Sequence, residues 1–333
     1  MRKAAVLLFV FLFLFSAAGA SALTLTWNEQ CDETYGATVG ANVFKAKLQE
    51  LSGGTMDIDL YINGALGDEE VSMQSLQWGT LDIFRGNASS LPDYGAELIG
   101  ATGMPYLFEN VDEFEKMATS PLGQELLDSV EKAGCGFTAI AWLVEGPRYL
   151  FLTEEGYRKS GSPMTFTLDN LKGLNIRVPS TEMMENTMMA LGANPIKIAY
   201  SMLNQSLKSG NIDGAENGII PYVSLGFCDC APYLVKDAHI FGCGVVLINN
   251  DVWAGLTDEQ RGWMLEAGKA ASDACYAHNV KQEKEYFETL DRLGVKVLPV
   301  ADLNAWQTAC EGIYAGQSEA VQEIIRRIWA REY

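Results

Sequence analysis

The chain has 333 residues, 43 of them Asp or Glu and 24 Lys or Arg, for a formal net charge of −19. Such an acidic surplus argues against nucleic acid and anionic membrane surfaces as partners, since both require a basic face. It does not bar a small anion, because screening acts over about 8 Å and one arginine can dominate its own pocket.

Met1-Arg2-Lys3 is positive, Ala4 to Phe15 is almost unbroken apolar sequence, and Ser16 to Ala22 is built of small residues. That order predicts a secretory signal peptide over 1–22, cut after Ala22, and hence an exported, periplasmic protein. The run is shorter than the ~20 apolar residues of a membrane span, and no later run reaches that length. Without Arg2 and Lys3 the mature chain holds 22 basic and 43 acidic residues, a net charge of −21. Seven cysteines are an odd number, so at least one has no intramolecular partner; a bridge from Cys228 or Cys230 to Cys243 is conceivable. Those three thiols with His239 match no zinc spacing, so no metal is expected.

In chain order, Leu23 to Trp27 reads as a strand, and Val39, Val43, Phe44, Leu48 and Leu51 keep the spacing of a helix that Gly53-Gly54 stops. Met56, Ile58, Leu60 and Ile62 alternate with polar residues as a strand with one wet face. Asp68-Glu69-Glu70 opens a helix at its positive end, where solvent exposure is the simplest account of Glu69 and Glu70, and Leu81 to Phe84 is a further strand. The resulting βαβαβ pattern implies an α/β domain with a mostly parallel sheet. A helical stretch over Val111 to Lys132 leads to a buried strand, Phe137 to Val144. After Arg148 and the polar segment Thr153 to Ser162 the pattern restarts with Leu174 to Val178, Thr181 to Leu191, Met202 to Lys208, Ile212 to Ala215 and Ile219 to Phe227, a second α/β lobe. Thr257-Asp258-Glu259-Gln260 is a capping box that starts a helix running toward Gly294, about 37 residues and about 55 Å long, enough to lie across both lobes. Two helices broken near Ala277 to Val280 are the alternative.

Arg177 and Asn217 each end a short apolar run. If both runs are parallel strands of one sheet, both side chains emerge on the rim where open α/β folds hold their ligands. A guanidinium fork matches a carboxylate in a bidentate way, and an asparagine amide serves a neighbouring oxygen, so the pair predicts a site for a small organic acid. Plainer readings are a snorkelling arginine and an asparagine that caps the helix starting at Gly218. Arg148 follows a Gly-Pro turn, and Arg85 stands beside Gly86 and Asn87, where it reaches a cleft or pairs with Asp93 or Glu97. Trp27, Tyr35, Tyr106 and Tyr222 suit stacking on a ring-bearing ligand, although most rings at strand spacing are core. Catalysis has little support: His239 and His278 are the only histidines, and no Gly-x-Ser-x-Gly, Gly-x-Gly-x-x-Gly or Walker run occurs, so no cofactor is expected.

Six segments, in order, resemble the periplasmic substrate-binding proteins of tripartite ATP-independent (TRAP) transporters, of the dicarboxylate-binding type. They are Gly64-Ala65-Leu66-Gly67, Trp78-Gly79-Thr80-Leu81-Asp82, Met104-Pro105-Tyr106-Leu107-Phe108, the run Asp169 to Pro179, Ala190-Leu191-Gly192-Ala193 and the run Ile212 to Asn217. The resemblance implies a two-lobed α/β clamp with a long helix crossing both lobes, lobe I from 23–145 and 243–282 and lobe II from 146–242 and 283–333. It also implies a carboxylate held by Arg177 and Asn217, with Arg148, Tyr200, Asn28 and Asn87 around the cleft; Ser180, Arg85, Trp27 and Tyr222 complete the set of candidate cleft residues. The expected partners are a small organic acid and a membrane permease, with the chain acting as a monomer that hydrolyses no ATP. A ligand sensor signalling to a membrane partner and a periplasmic hydrolase are the other classes. Ser201 to Lys208 departs from the family's usual run, and the segment from Arg148 to Asp169 is longer than usual, which leaves dicarboxylate, keto or hydroxy acid, sugar acid and aromatic acid all open as the ligand.

Overall fold

A computed structural model describes residues 22–333, so the expected leader lies, apart from Ala22, outside the described residues. The chain begins with β1 (Leu23–Asn28), β2 (Met56–Tyr61) and β3 (Ile83–Asn87), with β1 central and parallel to both neighbours. Leu25, Trp27, Met56 and Ile58 enter the core beneath the helix Gly36–Leu51, while Asp57 and Asp59 stay on the wetter face, the alternation that a half-buried strand needs. Asp68 caps the helix Glu69–Gln77 by accepting the Val71 N–H. The helical stretch expected over Val111 to Lys132 is two helices, Val111–Ala118 and Pro121–Lys132. Pro121 cannot continue the first, and Ser120 caps the second through Leu122 and Gly123 N–H groups.

The strand expected over Phe137 to Val144 continues through Gly146-Pro147-Arg148 as β4 (Phe137–Leu152). The second lobe supplies β5 (Asn175–Val178), β6 (Asn194–Lys197) and β7 (Gly214–Gly218), and β5 is parallel to both of the others. A second long strand, β8 (Tyr233–Asn249), runs antiparallel to β4, and a short β9 (Lys296–Leu298) joins its start. The sheet order is β2-β1-β3-β8-β4-β7-β5-β6. Thus each parallel trio abuts one end of an antiparallel pair, and β4 and β8 are shared by both lobes. Register shifts fall between Val144 and Gly146 and between Arg148 and Leu150, at the crossing from one lobe to the other.

The capping box of Thr257 and Gln260 is formed and starts a helix over Asp258–Phe287, about 45 Å of unbroken helix through Ala277 to Val280. It packs on the helix Gly36–Leu51, on β4 and on the helix Ile219–Ser224, and so touches both lobes. A Cβ on Gly268 would stand 2.9 Å from the Ala141 Cβ, so glycine permits the close approach to β4. Asn279 Nδ2 donates to the Val144 carbonyl (2.9 Å) and Ser272 to that of Trp142, fixing the helix on the strand. The helix ends at Phe287, short of Gly294, and Leu290 and Val295 beyond it join the core.

The helices Leu303–Ala309, Glu311–Ala315 and Glu319–Trp329 close the chain. Trp306 and Cys310 lie in the second lobe's core, but Val321, Ile324, Ile325 and Ile328 pack with Phe84, Phe114 and Trp142 of the first. The final helix therefore departs from the expected assignment of 283–333 to lobe II, because its apolar stripe is buried in the other core. All seven thiols are unpaired; Cys228 and Cys243 sit in separate cores, which rules out the bridge considered between them. Among the described residues no helix is long and apolar enough to cross a membrane, and no cluster of metal-ligating side chains is present.

Candidate functional site

The rims of the two parallel trios face each other across a cavity of about 510 Å³. On β5, Ile176 and Val178 point into the second core, so the intervening Arg177 must point the other way, into the cleft. Its neighbour β7 brings Asn217 to the same rim, two residues beyond the Arg177–Ala215 register pair. Asn217 Oδ1 accepts the Gly218 N–H (2.8 Å), which leaves its amide NH2 to meet a ligand. Arg148, opposite Gly218 on β4, completes this wall with Ser180 and Tyr200. Arg85 and Asn87, at the end of β3, stand in the first lobe's wall.

The three arginines differ in their partners. Arg85, 3% exposed, donates from Nη2 to Glu29 Oε1 (2.9 Å) and from Nη1 to Asn87 Oδ1 (2.9 Å), with Glu145 Oε1 at 3.4 Å. Burial opposes its charge, but Glu29 and Glu145 outweigh burial and hold its pKa above the usual arginine range. Arg148 forms a bidentate pair with Glu216, Nε to Oε2 at 2.7 Å and Nη2 to Oε1 at 2.8 Å. Again burial is overcome by the carboxylate and the guanidinium pKa is raised. Arg177, 2% exposed, forms no ion pair among the described residues; Nε donates to the Ile198 carbonyl (2.9 Å), and its Cζ lies 5.9 Å from the Tyr200 ring centroid. Burial dominates here, only partly offset by Glu216, and lowers its pKa to about 10.

Glu216 is itself fully buried, and although burial disfavours its charge, Arg148 and His239 hold its carboxyl well below the usual range. His239 Nδ1 lies 2.8 Å from Asp237 Oδ2 and its Nε2 3.4 Å from Glu216 Oε2. Burial works against the imidazolium, yet the two carboxylates push its pKa up to about 9. Arg148, Glu216, His239 and Asp237 thus form a buried network of two cations and two anions whose charges cancel.

The first lobe's wall is acidic, with Asp68, Glu69, Glu70 and Asp93 in the lining. Glu69 is not simply solvated: it accepts from Asn87 Nδ2 (2.6 Å), Asn87 N and Ser90 Oγ (2.7 Å). Asp93 Oδ2 accepts the N–H of Glu182 (3.3 Å), a contact that spans the cleft. Tyr35 lines the cavity and donates to Glu145 Oε2 (2.7 Å).

Four expected residues lie outside the lining. Trp27 is fully buried on the core face of β1, edge-on to Phe44 at 5.2 Å between centroids. Tyr222 is buried against Phe151, and its hydroxyl donates to the Ala231 carbonyl (2.8 Å). Asn28 faces away from the core but ties down the loop before the helix Glu69–Gln77, donating to Gly67 O and Ser72 Oγ and accepting the Leu66 N–H. Tyr106 is the fourth. Sequence reasoning missed Glu29, Glu145, Glu216, Asp237 and the pairing role of His239. The one local signal was Glu216, between Ala215 and Asn217 in a segment already singled out.

A two-lobed clamp with an unpaired cation in its cleft defines a solute receptor. Residues 29–320 match the family model for bacterial extracellular solute-binding protein, family 7 (DctP), and the chain belongs to that family. It is 26% identical over 313 residues to a solute-binding protein of Roseobacter denitrificans, covering 92% of this chain and 91% of that one. A C4-dicarboxylate-binding periplasmic protein of Rhodobacter capsulatus is 24% identical, over 74% of this chain and 70% of its own. Among solved structures, a TRAP periplasmic solute-binding protein from Bradyrhizobium in complex with galacturonate superposes with a TM-score of 0.84 at 25% identity, over 92% of this chain and 99% of the other. In keeping with these relatives, the chain is a binding protein and not an enzyme.

Proposed function

We propose that the protein is an exported receptor that closes on a small hydroxylated carboxylic acid and delivers it to a TRAP-type membrane transporter. Arg177 carries this reading: it is a buried guanidinium with no ion partner on the rim of a cavity of about 510 Å³. A buried charge demands compensation, and a ligand carboxylate supplies it through the bidentate geometry that guanidinium favours. The Asn217 amide sits on the same rim to serve the second carboxylate oxygen or an adjacent hydroxyl.

The opposite wall offers acceptors, Glu69 and Asp93, with Asn87 on the same wall between Glu69 and Arg85. Such groups pair with hydroxyl donors, so the ligand's body is polyhydroxylated, as is the galacturonate held by the Bradyrhizobium relative. Closure is a shift toward the clamped state, favoured by contacts that both walls make together. The leader, cut near Ala22, exports the chain to the periplasm.

Titration calorimetry with D-galacturonate, D-gluconate and glycerate tests the proposal. At least one is expected to bind, and Arg177→Ala to lose at least tenfold in affinity. No binding by any hydroxy acid, or full binding by the variant, overturns it.

A further inference from the structure

The cleft holds three arginines, yet its charges do not add up to a site for a multiply charged ligand. The buried network around Arg148 cancels within itself, since Glu216 takes the guanidinium in both of its forks and Asp237 faces His239. Arg85 is over-compensated, because one guanidinium stands between two buried carboxylates, Glu29 at 2.9 Å and Glu145 at 3.4 Å. Its Nη1 is further occupied by Asn87 Oδ1. That cluster carries a formal net charge of −1; Arg85 stands in the cavity wall opposite Arg177, with Glu29 and Glu145 buried behind it. Glu145 is held in place by Tyr35 on one side and by the strand crossing at Gly146 on the other.

We propose that Glu29 and Glu145 are specificity-determining residues that neutralise Arg85 and so restrict the receptor to monocarboxylates, rejecting acids with a second carboxylate at the far end. The inference rests on Arg177 as the carboxylate anchor proposed above. A ligand bound there by one end projects its other end toward Arg85, Asn87 and Glu69, with Glu29 and Glu145 acting from behind Arg85. A hydroxyl or ring oxygen is accommodated by those acceptors and donors. A second carboxylate there meets Glu69 and an Arg85 whose charge is already taken by two glutamates, and like charges repel. Arg85 thus serves as a positioning residue for the two glutamates, in contrast to a free cation that recognises a dianion.

D-galacturonate and galactarate form the decisive pair, because they share the configuration at C2 to C5 and differ at the far end, a hemiacetal ring carbon in one and a second carboxylate on an open chain in the other, with the open-chain monoacid galactonate controlling for the ring. Calorimetry at pH 7 is expected to show the parent protein preferring galacturonate by about a hundredfold or more. Glu145→Gln brings the Arg85 cluster to neutrality and should narrow that ratio at least tenfold. Glu29→Gln should act in the same direction, and serves if Glu145→Gln does not fold. A parent protein that binds galactarate as tightly as galacturonate overturns the selectivity while leaving Arg177 as the anchor. Unchanged ratios in both folded variants overturn the assignment to Glu29 and Glu145. Failure of both ligands and of every other monocarboxylate removes the anchor, and the selectivity with it.

Discussion

His239 offers a test of the buried network that needs no ligand. Its imidazole is fully buried between Asp237 and Glu216, and its pKa stands at about 9, against an ordinary value near 6.5. Because the folded value is the higher one, the protonated imidazole contributes stability that is complete below pH 6.5 and is lost as pH rises through 9. The gap between the two values corresponds to about 3 kcal/mol. Glu216 behaves oppositely: its carboxyl is depressed, so its contribution holds above about pH 4.3 and is lost toward acid, outside this window. Replacing His239 by Gln removes the titration while keeping a polar side chain of similar length. Urea unfolding at pH 6.0 and pH 9.5 should therefore show the parent losing about 3 kcal/mol more than His239→Gln over the interval. Background titrations, including the thiols, are common to both proteins and cancel in the comparison. An equal loss in both would refute the charged His239 and the network built on it.

Three further substitutions separate site from scaffold. Glu216→Gln breaks a buried bidentate pair and leaves Arg148 uncompensated, at a cost of about 3–5 kcal/mol, read as a fall in Tm on the order of 10 °C. In Gly244→Ala the new methyl would overlap Arg85 Cδ, so a loss of about 1–3 kcal/mol in chemical denaturation is expected, with the guanidinium displaced from Glu29 in a crystal structure. Tyr222→Phe deletes the hydroxyl that donates to Ala231, costing about 1 kcal/mol of stability while ligand affinity stays within about twofold in calorimetry.

Arg177 and Asn217 could be read from sequence because each closes a short apolar run, and strand alternation with parallel pairing carries such residues to a ligand rim. The βαβαβ start was legible for a similar reason: Met56, Ile58 and their neighbours keep period 2, and Asp68 marks the helix that it caps. The long strands β4 and β8 were not, since each changes lobe midway. Their inward face switches at the register shifts, and Asp237, His239, Gly242 and Gly244 interrupt any simple alternation. Trp27 and Tyr222 show a second limit, because an aromatic residue near a strand or helix end can serve either face and only the finished core decides. The pairing of Arg85 with Glu29 joins residues 56 apart, and that of Arg148 with Glu216 residues 68 apart. No local pattern announces which arginine a distant carboxylate will silence. The two that are silenced nevertheless determine what the third can do.

The central claim is that Arg177 is the uncompensated cation that holds the ligand's carboxylate. Calorimetry of Arg177→Ala with a hydroxy acid that the parent binds addresses it most directly, with circular dichroism to confirm that the variant is folded. Loss of a buried, hydrogen-bonded charge pair predicts a penalty of roughly 2–5 kcal/mol, from tens-fold to several-thousandfold in Kd. A folded Arg177→Ala protein that binds the acid as tightly as the parent would contradict the account.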